Sequence, residues 1–199
     1  MSNICWMAFV ANNETNELLV AKSADGHNWS GNEMIRQASK AAPSLAVFKN
    51  ELYIAFVANN ETNELLVAKS ADGHNWSGNE MIRQVSKAAP SLAVFKNELY
   101  IAFVANNDSN DLLVAKSVDG HNWSGNTWIG QSSKAAPSLS VFNNELYIAF
   151  VANNDSNDLL VAKSADGLQW SGNTRIGQSS KAAPALYIGE PLRLKMAYV

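Results

Sequence analysis

Short runs of apolar and aromatic residues alternate with polar turns along most of the chain. In the second quarter, residues 44–48 and 52–57 are two such runs, separated by a short polar turn. A polar loop at 59–63 follows, and a third apolar run covers 65–69. Runs of this length, rich in β-branched and aromatic residues and bounded by turn residues, predict β-strands. Helices are not predicted, because no stretch of useful length shows helical periodicity.

The same pattern recurs along the chain with a period of 47 residues. Each unit contains the motif Ser-x-Asp-Gly-x-x-Trp, whose Asp-Gly pair predicts a tight turn from the third strand into a shorter fourth strand around the Trp. Four antiparallel strands per unit at a fixed period are typical of the blades of a β-propeller. We therefore predict an all-β fold, a β-propeller of four-stranded antiparallel blades in a single domain. The Asp and Trp of the motif are Asp25 and Trp29, Asp72 and Trp76, Asp119 and Trp123, and Asp166 and Trp170.

The repeat divides the chain into units of about 1–43, 44–90, 91–137 and 138–184, followed by a closing segment at 185–199. The chain starts inside a second strand and ends inside another second strand. The first strand for the incomplete first unit can come from residues 185–188, so that the terminal strands pair and remove the exposed sheet edge. This arrangement favours four blades. Five blades, two of them incomplete, or strand exchange and self-association with another chain are the alternatives.

Composition narrows the function classes. The 199 residues can bury a substantial core, and the net charge of -3 is scattered along the chain, which argues against binding to nucleic acid. The apolar runs are too short to insert into a membrane. The single cysteine, Cys5, excludes an intrachain disulfide and a cysteine-based metal site. The N-terminus lacks the basic and apolar regions of a secretory signal, so we expect a cytoplasmic protein or one released by an unconventional route.

The recurring Ser-x-Asp-Gly-x-x-Trp motif resembles the Asp-box of sialidase-type propellers and of several bacterial propeller lectins. Its four copies cover the whole chain, and in that family the motif joins the third and fourth strands of a blade. The residues fit a structural role, because the Asp can accept backbone N–H groups, the Gly can adopt a positive φ and the Trp can pack against the blade. The resemblance implies that the ligand site lies on the opposite face of the ring.

Two polar segments are expected on that opposite face. We call them the Asn-rich loop, between the second and third strands, and the linking segment, between the fourth strand and the next unit. Asn offers both a donor and an acceptor to sugar hydroxyls, and an exposed Trp can stack on the apolar face of a sugar. The candidate ligand-binding residues are Asn12, Asn13, Glu17, Asn59, Asn60, Glu64, Asn106, Asn107, Asp111, Asn153, Asn154 and Asp158 in the loops, Lys40, Lys87, Lys134 and Lys181 in the linking segments, and Trp128.

Catalysis fits the sequence badly. Glycosidases need two carboxyl groups in one asymmetric pocket, whereas near-identical units give each carboxylate the same surroundings. The resemblance to sialidases implies three arginines around a substrate carboxylate, but Arg36 and Arg83 are repeat-equivalents and belong to separate blades. His27, His74 and His121 are also on separate units, too far apart to share a metal. No cofactor or metal is expected.

The sequence therefore predicts a non-enzymatic lectin with several equivalent sites between blades, whose partners are glycans or glycoconjugates. Weak sites gain strength when several bind one glycan-coated surface. Two alternatives remain open: a structural or engineered repeat scaffold without a ligand, and an inactive glycosidase-like or sialidase-like fragment.

Overall fold

The computed structural model describes residues 4–187, which form four antiparallel β-sheets. Sheet 1 has three strands, β1 (Cys5–Val10), β2 (Glu17–Ser23) and β3 (Glu33–Ala38). Sheet 2 contains β4 (Ser44–Phe48), β5 (Glu51–Val57), β6 (Glu64–Ser70) and β7 (Glu80–Val85). Sheet 3 contains β8 (Ser91–Phe95), β9 (Glu98–Val104), β10 (Asp111–Ser117) and β11 (Thr127–Ser132). Sheet 4 contains β12 (Ser138–Phe142), β13 (Glu145–Val151), β14 (Asp158–Ser164) and β15 (Thr174–Ser179).

This architecture confirms the predicted all-β propeller fold, and four sheets are consistent with four blades. In each sheet, strands adjacent in sequence are adjacent in space. Within residues 4–187 there is no helix that could cross a membrane.

The hairpin between the first two strands of a unit shows how local sequence sets the register. Lys49 and Asn50 both have a positive φ, 50° and 63°, which matches the right-handed twist of the flanking strands. This turn pairs Phe48 with Glu51. Repeat-equivalent residues form the same turn in sheets 3 and 4.

The core lies between the sheets. Three apolar clusters are present, one at each junction between consecutive sheets. At the junction of sheets 1 and 2, Ile35 from β3 belongs to the same buried cluster as Ile54 and Phe56 from β5. Side chains alternate along each strand, so the inner strands of a sheet can contribute to the cluster on either side.

The first strands of sheets 2 to 4 lie side by side, since β8 contacts both β4 and β12. The Ser91 Oγ accepts the backbone N–H of Leu139 at 2.9 Å, and the Ser44 Oγ accepts that of Leu92 at the same distance. This bond links each innermost strand to the next one and recurs once per unit.

The outermost strand is where the sequence prediction was wrong. Instead of surrounding the Trp of the motif, the fourth strand begins after it, at Glu33 in sheet 1 and at Glu80 in sheet 2. These strands occupy residues that we had assigned to the linking segments. The outermost strand β3 fully buries only one of its six residues, Ile35. It therefore lacks the apolar alternation that identifies inner strands.

The predicted ring closure involves residues that mostly lie outside the described part of the chain, namely 188–199. Pairing of the terminal strands and the five-blade alternative therefore stay predictions. The described residues before that segment continue the repeat, because the backbone N–H of Leu186 donates to the Ser138 Oγ at 2.9 Å. This contact corresponds to those that Leu92 and Leu139 make.

Candidate functional site

The Asp-Gly turn that follows the third strand has the geometry that its sequence predicts. In sheet 2 the Asp72 Oδ1 accepts the backbone N–H groups of His74 and Asn75, both at 2.8 Å. Gly73 has a φ of 77°. These bonds, first of all the one from the Asn75 backbone, hold the pKa of the Asp72 carboxyl well below its ordinary value. The turn is therefore a rigid, ionised unit that positions the residues after it.

Those residues form one wall of a groove. A cavity of about 530 Å³ lies between the outer strand β3 of sheet 1 and the Asp-Gly turn of sheet 2, and we call it the first groove. Its lining combines a guanidinium, a thioether, an indole, a carboxylate, an imidazole and two amides. The lining residues are Asn32, Glu33, Met34, Ile35, Arg36, His74, Asn75 and Trp76.

An equivalent cavity, the second groove, lies one repeat further along. It has a volume of about 310 Å³ and lies between β7 of sheet 2 and the turn of sheet 3. Its lining residues are Glu80, Met81, Ile82, Arg83, His121, Asn122 and Trp123, each one repeat after its counterpart in the first groove. The molecule thus contains the same arrangement of side chains twice.

A β-bulge places the arginine in each groove. The register of β2 against β3 shifts between Glu17 and Leu19, and Arg36 adopts a φ of 61°. Arg83 has a φ of 60° at the same place in β7. Left-handed backbone is unfavourable by roughly 1–2 kcal/mol for a residue other than Gly, and bulges of this kind are often found where a side chain has to be re-aimed.

Sheets 3 and 4 carry glycine at the bulge. Gly130 and Gly177 have φ values of 77° and 74°, so they adopt the same backbone without the penalty that a Cβ imposes. The backbone therefore does not need an arginine, and the first two sheets retain one at a conformational cost. Strain that persists at particular positions is a reason to look for function there.

A short polar chain runs along the first groove. The His74 Nδ1 lies 3.0 Å from the Glu33 Oε1, and the His74 Nε2 lies 2.8 Å from the Lys22 Nζ. The Lys22 ammonium can only donate, so the Nε2 accepts and the proton resides on Nδ1, which donates to Glu33. A neutral imidazole satisfies both neighbours.

Lys22 has no glutamate partner equivalent to the one that Lys69 has in sheet 2. In sheet 2 the equivalent Lys69 Nζ lies 2.7 Å from the Glu51 Oε2, whereas Ile4 stands at the position of that glutamate in sheet 1. In the second groove the His121 Nδ1 still lies 2.9 Å from the Glu80 Oε1. The two grooves therefore share their aromatic, thioether and guanidinium groups but differ in charge beside the histidine.

The structure brings the predicted Asn-rich loops and linking segments together, and their polar atoms pair with one another. The Lys40 Nζ donates to the Asn63 Oδ1 at 2.9 Å, and the Lys134 Nζ donates to the Asn157 Oδ1 at 3.0 Å. Lys87 makes the same bond to the loop of sheet 3. These contacts tie three linking segments, those of Lys40, Lys87 and Lys134, to the loop of the sheet that each leads into.

Within each Asn-rich loop, the second asparagine bonds to the carboxylate that begins the next strand. The Asn60 Nδ2 donates to the Glu64 Oε2 at 2.9 Å, and the Asn107 Nδ2 donates to the Asp111 Oδ2 at 2.8 Å. Asn13–Glu17 and Asn154–Asp158 form the same pair. Much of the hydrogen-bonding capacity of the loops is therefore used internally. A direct role of these residues in ligand binding remains a prediction.

Trp128 replaces the methionine of the two grooves at the third junction. It is exposed on β11, and its indole N–H donates to the Gln131 carbonyl oxygen at 2.9 Å. The repeat-equivalents of the groove arginine and histidine at this junction are Gly130 and Leu168. The third junction therefore presents an aromatic surface without the charged groups of the first two.

The sequence indicated only that Arg36 and His74 belong to separate units, and it did not group them with Met34. The available signal was the exchange of Arg and Gly at one repeat position, because a recurring Gly is compatible with a positive φ there. The pairing of β3 with the next sheet's turn depends on sheet packing, which the local sequence does not encode.

No protein-family model matches the sequence, and the curated proteins give no match either. Solved structures do match. The chain is similar to a lectin from Burkholderia pseudomallei, with 22% identity and a TM-score of 0.70, over 92% of this chain and 59% of that one.

Two glycosidase structures are also similar. An exo-β-1,3-galactanase from Clostridium thermocellum has 16% identity and a TM-score of 0.63, over 90% of this chain and 47% of that one. An α-L-arabinofuranosidase from Fusarium graminearum has 14% identity and a TM-score of 0.62, over 80% of this chain and 58% of that one. The chain thus spans about half to three fifths of the length of these proteins. At these identities the likeness shows the fold, which is that of a β-propeller.

Proposed function

We propose that the protein is a non-enzymatic, carbohydrate-binding propeller of the Asp-box type, and that its sites are the first and second grooves. These grooves are lined by the Asp-Gly turns, so the proposal departs from the opposite face that the resemblance to Asp-box propellers implied. The observation that carries this proposal is the arginine held in left-handed backbone at Arg36 and again at Arg83, where two other units use glycine. Two copies of one strained groove support a multivalent binding protein.

The groove chemistry suits a sugar. In the first groove Met34 and Trp76 can contact the apolar face of a pyranose ring. The Arg36 guanidinium offers fixed donors to ring hydroxyls or to a carboxylate, and the Asn75 amide offers a donor and an acceptor. A ligand that bridges the two sheets would use all four groups at once.

Binding is favoured over hydrolysis by the acid groups. Glu33 is the one carboxylate in the lining of the first groove, and Glu80 is the one in the second. Each lies within 3.0 Å of a histidine nitrogen. Hydrolysis by the usual glycosidase mechanisms needs a second carboxyl group at a defined separation.

The similar structures support a carbohydrate-related role in general terms, since they comprise both a lectin and glycosidases. The lectin has the higher identity and TM-score of those compared above. The chain covers only part of each, so any activity of those whole proteins is a hypothesis here.

The test is a glycan array with the full chain, followed by calorimetric titration of the glycans that bind. We expect binding to two sites, weakened at least tenfold by Arg36→Gly together with Arg83→Gly. Lys49→Gly is the matched control, since it also removes a positive charge from left-handed backbone, at an exposed hairpin outside both grooves. The control should bind like the unmodified protein.

Three results would overturn the proposal. An array without any binding glycan would favour a scaffold without a ligand. Binding that survives the double arginine change but is lost on Asn60→Ala and Asn107→Ala would place the site in the Asn-rich loops. Turnover of fluorogenic arabinosides, galactosides or sialosides would show an enzyme.

A further inference from the structure

The two ends of the row of sheets expose apolar residues that are buried everywhere else. We call the outer face of sheet 4 the trailing face. On it, Ile176 is 51% exposed, whereas the equivalent Ile82 and Ile129 are 4% and 6% exposed. Phe142 is 44% exposed, against 1% for Phe95. The trailing face therefore has the composition of a sheet junction but lacks a covering sheet among the described residues.

The outer face of sheet 1, which we call the leading face, is exposed in the same way. Met7 is 43% exposed, whereas Ile54, one repeat later, is completely buried. Trp29 is also exposed, while the equivalent Trp76 is partly buried against the cluster between sheets 1 and 2. In repeat proteins the terminal units normally have polar outer faces, and neither end follows that rule.

Each internal junction uses the same aromatic contact. A Cβ built on Gly120 of sheet 3 would lie 2.3 Å from the hydroxyl of Tyr53 of sheet 2, and one on Gly167 would lie 2.4 Å from a ring carbon of Tyr100. A Cβ on Gly26 of the leading face would meet nothing within 4 Å. The tyrosine that would fill this space is Tyr147, which lies on the trailing face.

A side-chain hydrogen bond that joins two internal sheets also has one of its partners on each end face. The Asn126 Nδ2 donates to the Gln84 Oε1 at 2.7 Å between sheets 2 and 3. The equivalent glutamine at the trailing end is Gln178, and the equivalent asparagine at the leading end is Asn32. Both are exposed. The trailing face and the leading face therefore carry the two partners of a contact that joins internal sheets.

The backbone is complementary as well. Among the residues that the structure describes, sheet 1 has three strands and lacks the innermost one. At the trailing end, Leu186 is already bonded to the Ser138 Oγ, in the way that begins an innermost strand in the other units. The trailing end therefore presents residues 185–187 beside the place where the innermost strand of a following sheet would stand.

From these observations we propose that the trailing face of one copy binds the leading face of a second copy. The contact is heterologous, since two different surfaces meet, and it builds a closed ring or an open filament depending on its rotation. Tyr147 of one copy packs on Gly26 of the next, and Ile176 packs on Met7.

The contact would also complete a further inter-sheet groove. Its walls would be the outer strand of one copy, with Arg175 at the position of Met34 and Gly177 at that of Arg36, and the turn of the other copy with His27 and Trp29. This part rests on the proposed carbohydrate function, whereas the association itself does not.

The experiment measures the mass of the full chain by sedimentation velocity and native mass spectrometry over a range of concentrations. We expect assemblies of two or more copies. Ile176→Asp and Met7→Asp should each make the protein monomeric, because every contact between copies of one variant would include the altered face. A mixture of the two variants should form a one-to-one dimer and nothing larger. Val118→Asp, at an exposed position of the turn in sheet 3, is the control and should assemble like the unmodified protein.

The outcomes separate this proposal from the functional one, because mass is measured without any ligand. A chain that is monomeric at every concentration, as intramolecular closure by residues 188–199 would make it, overturns the proposal. So does a mixture of the two variants that yields no dimer while each keeps the circular dichroism spectrum of the unmodified protein. If the protein assembles but binds no glycan, the proposed interface stands and only the proposed carbohydrate function fails.

Discussion

Tyr53 of sheet 2 lies directly over Gly120, the glycine of the Asp-Gly turn in sheet 3. A Cβ added to Gly120 would come within 2.3 Å of the tyrosine hydroxyl and 2.6 Å of two ring carbons. The glycine therefore has two roles, because it adopts a φ of 79° and also leaves room for the neighbouring sheet. The turn motif connects strands within a sheet and at the same time forms part of the junction between sheets.

Gly120→Ala should strongly destabilise the protein. It introduces a Cβ at positive φ, which costs roughly 1–2 kcal/mol, and it overpacks the junction, which costs roughly a further 1–3 kcal/mol. Gly130→Ala is the matched control, since Gly130 has a φ of 77° but open space around its Cα. Urea unfolding of both variants measures the difference, and equal losses would contradict the packing role of Tyr53.

Arg83→Gly should stabilise the protein slightly while weakening ligand binding. The conformational penalty removed from the left-handed position exceeds the entropic cost of glycine, so we expect the free energy of unfolding to rise by about 0.5 kcal/mol. Arg175→Gly is the comparison, because Arg175 is in ordinary backbone and its guanidinium bonds to the Asp158 carboxylate at 2.6 Å. That variant should lose stability in the same unfolding measurement. A loss of stability for Arg83→Gly would mean that its side-chain contacts outweigh the backbone strain.

The Asp-Gly turns should make the protein sensitive to acid. The side-chain amide and the backbone N–H of Asn122 hold the pKa of Asp119 well below its ordinary value of about 3.9. As the pH falls, the Asp119 carboxylate binds a proton in the unfolded chain before it does so in the folded protein. The stability that Asp119 contributes is therefore fully present above about pH 4 and is lost as the pH falls further. Asp119→Asn should lower stability at pH 7 and flatten the decline below pH 4. Chemical denaturation at several pH values tests this, and an unchanged acid slope would count against it.

Ser91→Ala should destabilise the centre of the molecule. The Ser91 Oγ is the acceptor for the Leu139 backbone N–H at 2.9 Å, and an unsatisfied buried donor costs roughly 1–3 kcal/mol. Ser109→Ala, at an exposed position in the Asn-rich loop, should change stability by less than about 0.5 kcal/mol. Thermal unfolding of the two variants compares them directly. Similar melting temperatures would mean that Leu139 finds another acceptor.

The inner strands and the turns could be predicted from the sequence because their signals are local. The hairpin at Lys49 and Asn50, and the turn around Asp72 and Gly73, depend on residues within a few positions of each other. The outer strand β3 could not be placed, because Ile35 is the one fully buried residue among its six positions.

The grooves could not be predicted for a related reason. Arg36 and Trp76 line the same cavity from different sheets, and nothing in their local sequences indicates the contact. The repeat identified which residues are equivalent, but it did not show which equivalents meet. For the same reason, the predicted Asn-rich loops turned out to bond largely with one another and with the linking-segment lysines.

The sequence by itself determined the repeat, the all-β class and the Asp-Gly turns, since these follow from apolar patterning and from the conformational freedom of single residues. Only the tertiary structure decided that the turn of one sheet seats an aromatic ring of the preceding sheet, that the bulged arginines face those turns, and that the two end faces remain apolar and uncovered among the described residues. These features depend on how sheets separated by a full repeat pack together, and packing is a property of surfaces that local sequence does not specify.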